Sequence, residues 1–582
     1  MSRTVALEVC RLKPLSLAVF AFVMAAALPR VAHAQVNAPS SGQIENTLRQ
    51  IEPIPSRKPS SAVIEKPLSQ SGSAGAPEVG VKARISRVVF TGNSAYSGAH
   101  LAALLPPLEG KEFTLAELNA MADRITRFYR EHGYAVARAY LPPQSISNGE
   151  LSISVLEGRY DRAIIRNNSP VSDTRIRRTL EENACVSDAD SVASSGEAGR
   201  EACHDDLVKQ ASLERALLLI GDLPGVKSPV ISTLAPGREV GTTDLSLDVA
   251  PGRSVTGFVS ADNFSDDSTG EAEVWAGVSA NSVALDGDQL SAMGLTTGRH
   301  LVSPILGYSA PIGYLGTRAG IQYSYLHYSL KSSPESYGTA QSYSAYVSHP
   351  LIRTLARNLS AQLTYSYRRY NDVLLEGLAT DRKNDSVFTL SLDGNELNQP
   401  WGGQLTYNAS FATGHLSGEL LTDSVLHTSG QYEKVNVSFS QLQPVYGPWG
   451  AAISAKAQLA SKNLDVADKL VLGGPTAVRA AGIGAAFADN GLFATAEARF
   501  SPALLSGLQT TFSAFYDVAV GQTNKFPVAG SGANSLHLAG YGLGVTVTDA
   551  RKYSVRVYWA RPTHAVPGDD HSRAWLQATY AF

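Results

Sequence analysis

The chain has 582 residues, enough for several domains rather than one small core. Its 49 lysines and arginines against 52 aspartates and glutamates leave a net charge of −3, which argues against a nucleic-acid binder with its basic surplus. Charged residues make up only 17% of the chain, yet no apolar run past the N-terminus is long enough for a spanning helix. That leaves a β-barrel as the membrane architecture still open.

Arg3, Arg11 and Lys13 precede an apolar stretch from Leu15 to Leu28, and Ala32 and Ala34 supply small residues behind it. This pattern predicts a signal peptide over residues 1–34, cleaved after Ala34. A membrane anchor is the other reading, but the stretch is too short to cross a bilayer. Cys10 leaves with the signal, so Cys185 and Cys203 remain. An even pair in an exported chain reads as a disulfide. Closing the polar Ser/Asp/Glu-rich loop between them contributes about 3 kcal/mol in the loop-entropy picture. A metal site that adds His204 is the alternative, although the ligand spacing is not the usual one.

Residues 35–82 form a Pro/Ser-rich leader. Within it Gln43–Ile51 can make a short helix, with Ile44, Leu48 and Ile51 on one stripe. Prolines 53, 55, 59, 67 and 77 then interrupt regular structure, so this part is expected to be linker.

An α+β unit is expected over 83–159. ISRVVF at Ile85 reads as a strand, and a short helix suits Gly98–Leu105. A longer helix fits Leu115–His132, with a Thr114/Glu117 capping box, the stripe Leu115, Leu118, Met121 or Ala122, Ile125 and Phe128, and Gly133 as its stop. Strands at Tyr134–Leu141 and Glu150–Leu156 complete the order β-α-α-β-β. The order recurs over 160–252, with a strand at Arg162–Arg166 and helices near Asp173–Glu182 and Asp205–Ile220. Strands at Val226–Leu234 and Asp244–Val249 complete it. Two such units in tandem look like an array of binding modules.

From 253 to 582 the helical period gives way to alternation. In LSAQLTYSYR, Leu359, Ala361, Leu363, Tyr365 and Tyr367 face one side, and Ser360, Gln362, Thr364, Ser366 and Arg368 the other. Gln404–Phe411 repeats the pattern. A soluble sandwich alternates too, so periodicity alone does not choose. Strand lengths suited to a bilayer, the placement of all but five of the 24 tyrosines here, and the ending Tyr580-Ala581-Phe582 favour a transmembrane barrel.

Several local sequences carry a resemblance. They are YLPPQSISNGELSISVLEGR closing the first unit, Leu223-Pro224-Gly225 and Gly241-Thr242-Thr243-Asp244-Leu245 in the second, and Asp262-Asn263-Phe264 at the barrel entry. Asp286-Gly287-Asp288, YSAPIG at 308–313, HPLIR at 349–353 and LGGPTAVR at 472–479 follow in order. Together they make the chain similar to the two-partner secretion transporters of the TpsB type, the outer-membrane exporters of haemolysins and filamentous adhesins. The resemblance implies two periplasmic POTRA domains followed by a sixteen-stranded barrel in the outer membrane of a Gram-negative bacterium. It also implies a long loop folded into the lumen with a Val-Arg-Gly-Tyr/Phe tip. Val478 and Arg479 match that tip; Ala480 and Ala481 do not. A left-handed backbone at 480 would cost an alanine roughly 1–2 kcal/mol, so either the loop turns elsewhere, at Gly482 or Gly484, or the tip is looser.

The family's partner for the arginine matches Asp517 in Phe515-Tyr516-Asp517; the plain alternative is two solvated lumen charges. The resemblance further makes the Gln43–Ile51 helix a plug, its alternative being unstructured linker, and Tyr580 and Phe582 the signal read by the barrel-assembly machinery. The implied partners are a secreted exoprotein, outer-membrane lipid and that machinery, with no nucleic acid. No cofactor, catalytic residue or metal is expected: there is no G-x-x-x-x-G-K-[ST], G-x-S-x-G or H-E-x-x-H motif. The implied function is export of an unfolded exoprotein without a nucleotide motor. The alternative is a barrel-assembly insertase of the same plan.

Overall fold

The computed structural model describes residues 39–51, 62–65, 82–108, 111–146, 149–186, 207–331, 335–397, 402–420, 423–504, 507–528, 533–549, 552–564 and 571–582. The expected signal peptide with its Ala34 cleavage site, Cys203 and His204 fall outside these.

In the first α+β unit the capping box forms. Thr114 N donates to Glu117 Oε2 (2.7 Å) and Glu117 N to Thr114 Oγ1 (3.3 Å), which starts the helix Leu115–Glu131. Leu118, Met121, Ala122 and Ile125 are buried, whereas Leu115 is 60% exposed, one turn before the packed stripe. Phe128 packs half-buried against this core as expected, and Tyr129 joins it fully buried. Glu150–Leu156 is the central strand, parallel to Arg87–Thr91 and antiparallel to Arg138–Tyr140. The expected strand at Tyr134–Leu141 is this short because Tyr134 N bonds back to Tyr129 O and Ala137 N to Tyr134 O, making a turn of residues 134–137.

The loop after Arg87–Thr91 is pinned by a buried carboxylate. Glu157 accepts from Ser94 N, Ala95 N and Tyr129 Oη, each at 2.8 Å, and from Ser94 Oγ. Burial alone would raise the Glu157 pKa; the hydrogen bonds outweigh it and hold the carboxyl below its ordinary value. Gly158 follows with φ +81°, where a Cβ would lie 2.2 Å from Val136 Cγ2. Only glycine fits.

The second unit has the strands Arg159–Asn167, Val230–Pro236 and Thr242–Val249 and the helices Asp173–Ala184 and Gln210–Gly221. The last helix begins later than the expected 205 because Leu207 is extended and bridged to Arg159. The strand expected from Val226 begins at Val230, since Val226 N closes a turn onto Leu223 O through Gly225 at φ +96°. Cys185, the left-handed cap of Asp173–Ala184, is disulfide-bonded. A strand also appears where the prolines suggested linker: Ala62–Glu65 pairs in parallel with Val230–Pro236 and forms the edge of this sheet. Four residues between Pro59 and Pro67 are too few to show a period.

Sixteen antiparallel strands then close into a barrel, the first (Val255–Asp262) pairing with the last (Arg573–Ala581). Gly257 and Phe582 extend that seam with bonds of 3.0 and 2.9 Å, and the rings of Tyr580 and Phe582 stack beside it. The alternation is resolved by exposure. Ile321, Leu363, Leu459 and Leu543 are 63%, 52%, 65% and 60% exposed, while Arg368, Lys383, Asp385 and Asp517 are buried. A soluble sandwich would do the reverse; an apolar outside with charges inside is a barrel in lipid. No helix among the described residues is long and apolar enough to cross a membrane.

The turns at one end of the barrel are bonded to the second unit. Ser172 Oγ donates to Asp286, Ser282 Oγ to Pro224 O (2.6 Å), and Arg175 Nη1 to Gly313 O (2.9 Å). Arg353 forks onto Asp222 (Nε–Oδ2 2.7 Å, Nη2–Oδ1 2.9 Å). Asp288 shapes its own turn by accepting from Val283, Ala284 and Leu285 amides and Tyr308 Oη. The motif DGD is therefore one of these docking turns, and YSAPIG and HPLIR are the strand ends that lead into the others.

Candidate functional site

The segment between the strands Trp449–Ala460 and Asn490–Phe500 folds back inside the barrel and pairs with itself at Leu470–Val471 and Phe487–Ala488. Its tip turns at Gly474 (φ +117°) and Gly484 (φ +74°), so Ala480 and Ala481 carry no left-handed backbone. Both alanines are fully buried. The Ala480 methyl packs against the bare backbone of Gly540, where a Cβ would come within 2.3 Å of it. The tip accommodates alanine because the facing strand lacks a side chain.

Arg479 is the centre of the tip. Its Nε and Nη2 donate to Asp517 Oδ2 (2.9 Å) and Oδ1 (2.6 Å), and its backbone N donates to Asp517 Oδ2 (3.0 Å). Nη1 donates to Glu497 Oε1 (2.7 Å) and Nη2 also to Thr495 Oγ1 (2.9 Å). Trp575 Nε1 donates to the Arg479 carbonyl (2.7 Å), and the guanidinium carbon lies 3.3 Å from the Phe515 ring centroid. The planar fork is thus matched to two carboxylates and to two rings, Tyr558 also lying 5.0 Å from the guanidinium carbon, a geometry lysine cannot copy. Val478 is fully buried beside it.

The structure brings Val478, Arg479 and Asp517 together as the sequence placed them. It adds Glu497, Thr495, Phe515 and Trp575, which the sequence reading missed. Glu497 and Thr495 lie two apart in FATAEARF, so the same alternation that faces Asp517 inward was the available signal.

The N-terminal helix, Ser41–Ile51, lies inside the barrel as well. Ser41 N and Oγ donate to Asp372 (2.8 and 3.0 Å), capping its start from the wall, and Tyr370 Oη donates to Glu45 Oε2 (2.6 Å). Ile44 and Leu48 are buried against Trp275, Leu301, Tyr328 and Ala467. The side chain of Ile51, the third residue of the expected stripe, lies outside the described residues. Asn46 Nδ2 donates to Val466 O and Lys469 O (both 2.9 Å), and Arg49 Nη2 to Ala467 O (2.7 Å), so the helix also grips the folded-in segment.

These features agree with what the chain is similar to. Residues 83–158 match the model of the ShlB-type POTRA domain, and residues 241–547 that of the haemolysin secretion/activation protein ShlB/FhaC/HecB. The heme/hemopexin transporter protein HuxB of Haemophilus influenzae (strain 86-028NP) is 26% identical over 559 residues, covering 94% of this chain and 95% of that protein. The outer membrane transporter CdiB of Escherichia coli is 27% identical over 414 residues, covering 68% and 65%. The solved structure of CdiB from Escherichia coli superposes with a TM-score of 0.72 at 20% identity, over 94% of this chain and 100% of that one. The chain therefore belongs to the haemolysin secretion/activation family of ShlB, FhaC and HecB, the two-partner secretion transporters of the outer membrane that act with a secreted exoprotein.

Proposed function

We propose that this protein passes one unfolded exoprotein from the periplasm through its barrel to the outside. The observation that carries the reading is the nature of the obstruction: a helix and a folded-in segment fill the lumen, both held by hydrogen bonds and ion pairs rather than by the barrel's own strand ladder. Such stoppers can leave without unfolding the wall. In the periplasm, the outer strand Arg87–Thr91 of the first unit has a free backbone edge among the described residues, where an extended passenger can add as a strand, whereas the other outer strand, Arg138–Tyr140, is covered at Ala139 by Thr126. Backbone pairing tolerates many sequences, which suits a client that must keep moving. With no nucleotide-binding loop in the chain, drive comes from the passenger folding outside.

The test is to compare culture supernatants of cells with and without this protein. Loss of one large secreted species is the expected result. Depletion of many outer-membrane barrels instead would turn the reading to a barrel-assembly insertase, and an unchanged supernatant would end it.

A further inference from the structure

The ascending limb of the folded-in segment carries charges that the Arg479 tip does not use. Asp468, 2% exposed, accepts from Lys434 Nζ (2.6 Å) and Arg368 Nη2 (3.2 Å). The same Arg368 nitrogen holds Asp385 Oδ2 (3.0 Å), which Tyr432 Oη also approaches (3.0 Å). Lys434 Nζ and Gln458 Nε2 further bind the Asp468 carbonyl (3.0 and 3.2 Å). One loop residue is thus clamped by three strands of the wall, Arg357–Leu374, Gly430–Tyr446 and Trp449–Ala460, with a fourth, Ala379–Leu397, joined to it through Arg368.

The clamp is costly. Among the described residues, Nε and Nη1 of the buried Arg368 have no hydrogen-bond partner, so this arginine is spent on joining two carboxylates rather than on satisfying itself. A buried ion cluster of this kind is weak evidence for stability and fits better as a positioning device.

What it positions is the turn 465–469. Asp465 Oδ1 accepts from Ala467 N (3.0 Å) to form the turn, and Lys383 Nζ ties Asp465 to the wall (2.7 Å). The carbonyls of Val466, Ala467 and Lys469 are the acceptors for Asn46 and Arg49 of the N-terminal helix. The approach is close: a Cβ on Gly42 would lie 3.0 Å from Ala467 Cβ. The helix therefore sits on a seat whose shape is set by Asp468 from behind.

We propose that Asp468, held by Arg368 and Lys434, is a positioning residue that seats the plug helix, a second lock separate from the one at Arg479. Resting on the reading of Ser41–Ile51 as a stopper, it makes release of the limb and departure of the helix one coupled event.

The test uses the full-length protein in planar bilayers, with heat-modifiable gel migration to confirm barrel folding. Asp468→Asn is expected to raise the fraction of time the channel is open by about tenfold, the effect of weakening its charge-assisted contacts to Lys434 and Arg368. Asp468→Glu should restore closure. Asn46→Ala with Arg49→Ala, which cuts the same seat from the helix side, should reproduce the increase. Removing residues 41–51 should open the channel most, and Asp468→Asn should add nothing in that background. If removal of the helix opens the channel but Asp468→Asn and the Asn46/Arg49 pair leave it shut, the seat is refuted and the stopper reading stands. An increase that adds to helix removal would also overturn the seat, by placing the effect in the wall. If helix removal itself changes nothing, the stopper reading falls first.

Discussion

Arg479→Ala is expected to cut export of the passenger by at least about tenfold while the barrel still inserts and folds. The wall closes through sixteen paired strands that do not involve residue 479. Removing the guanidinium leaves Asp517 and Glu497 buried without their shared cation, which costs roughly 3–5 kcal/mol when one partner of a buried pair is lost. The cost falls on the tip, so the loop loses its register against the strands Asn490–Phe500 and Leu508–Gln522. Arg479→Lys keeps the charge but loses the fork, and is expected to export at an intermediate level. The readout is the amount of the missing supernatant species, by immunoblot, beside heat-modifiable migration of the barrel. Wild-type export from Arg479→Ala would reduce the lock to two ordinary lumen charges.

The second large effect lies outside the membrane. Glu157→Ala removes the acceptor for two backbone amides, a serine and a buried tyrosine in the first unit. With those donors left unsatisfied, the unit is expected to lose roughly 3–5 kcal/mol. The sign of the pH dependence follows from the lowered pKa. The contribution is fully present above the ordinary value of about 4.5 and is lost as pH falls through the lower folded value. Hydrogen exchange over Glu150–Leu156 in the full-length protein would show it. Protection factors, taken against the intrinsic exchange rate at each pH, should fall in Glu157→Ala at neutral pH and in the wild type under acid. Equal protection in variant and wild type would rule the role out.

What could be read from the sequence depended on whether the physics was local. The Thr114/Glu117 cap, the alternation of Leu359–Arg368 and the Arg479–Asp517 partnership each rest on a short pattern or on a motif in order, and each contact is present. Tyr134–Ala137 looked like strand because its residues suit one, and a pair of backbone bonds turned it instead. The loop tip could not be placed from Ala480 alone, since what lets alanine sit there is the bare backbone of Gly540, sixty residues on. The limb charges Asp465 and Asp468 gave no signal, because their partners Lys383, Arg368 and Lys434 lie on strands far apart in the chain, and Lys469 finds Asp489 only once the segment has folded back on itself.

The strand Ala62–Glu65, fixed to the second periplasmic unit, has a consequence for how the pore recovers. Only ten residues separate it from the end of the helix at Ile51, a leash of at most about 35 Å when taut. If the helix leaves the lumen as proposed, that limit keeps it near the mouth at an effective concentration on the order of millimolar, and resealing is expected to be a rapid first-order return. Lengthening the leash with Gly/Ser residues should prolong each open burst in single-channel records; unchanged bursts would mean the helix does not return along this tether.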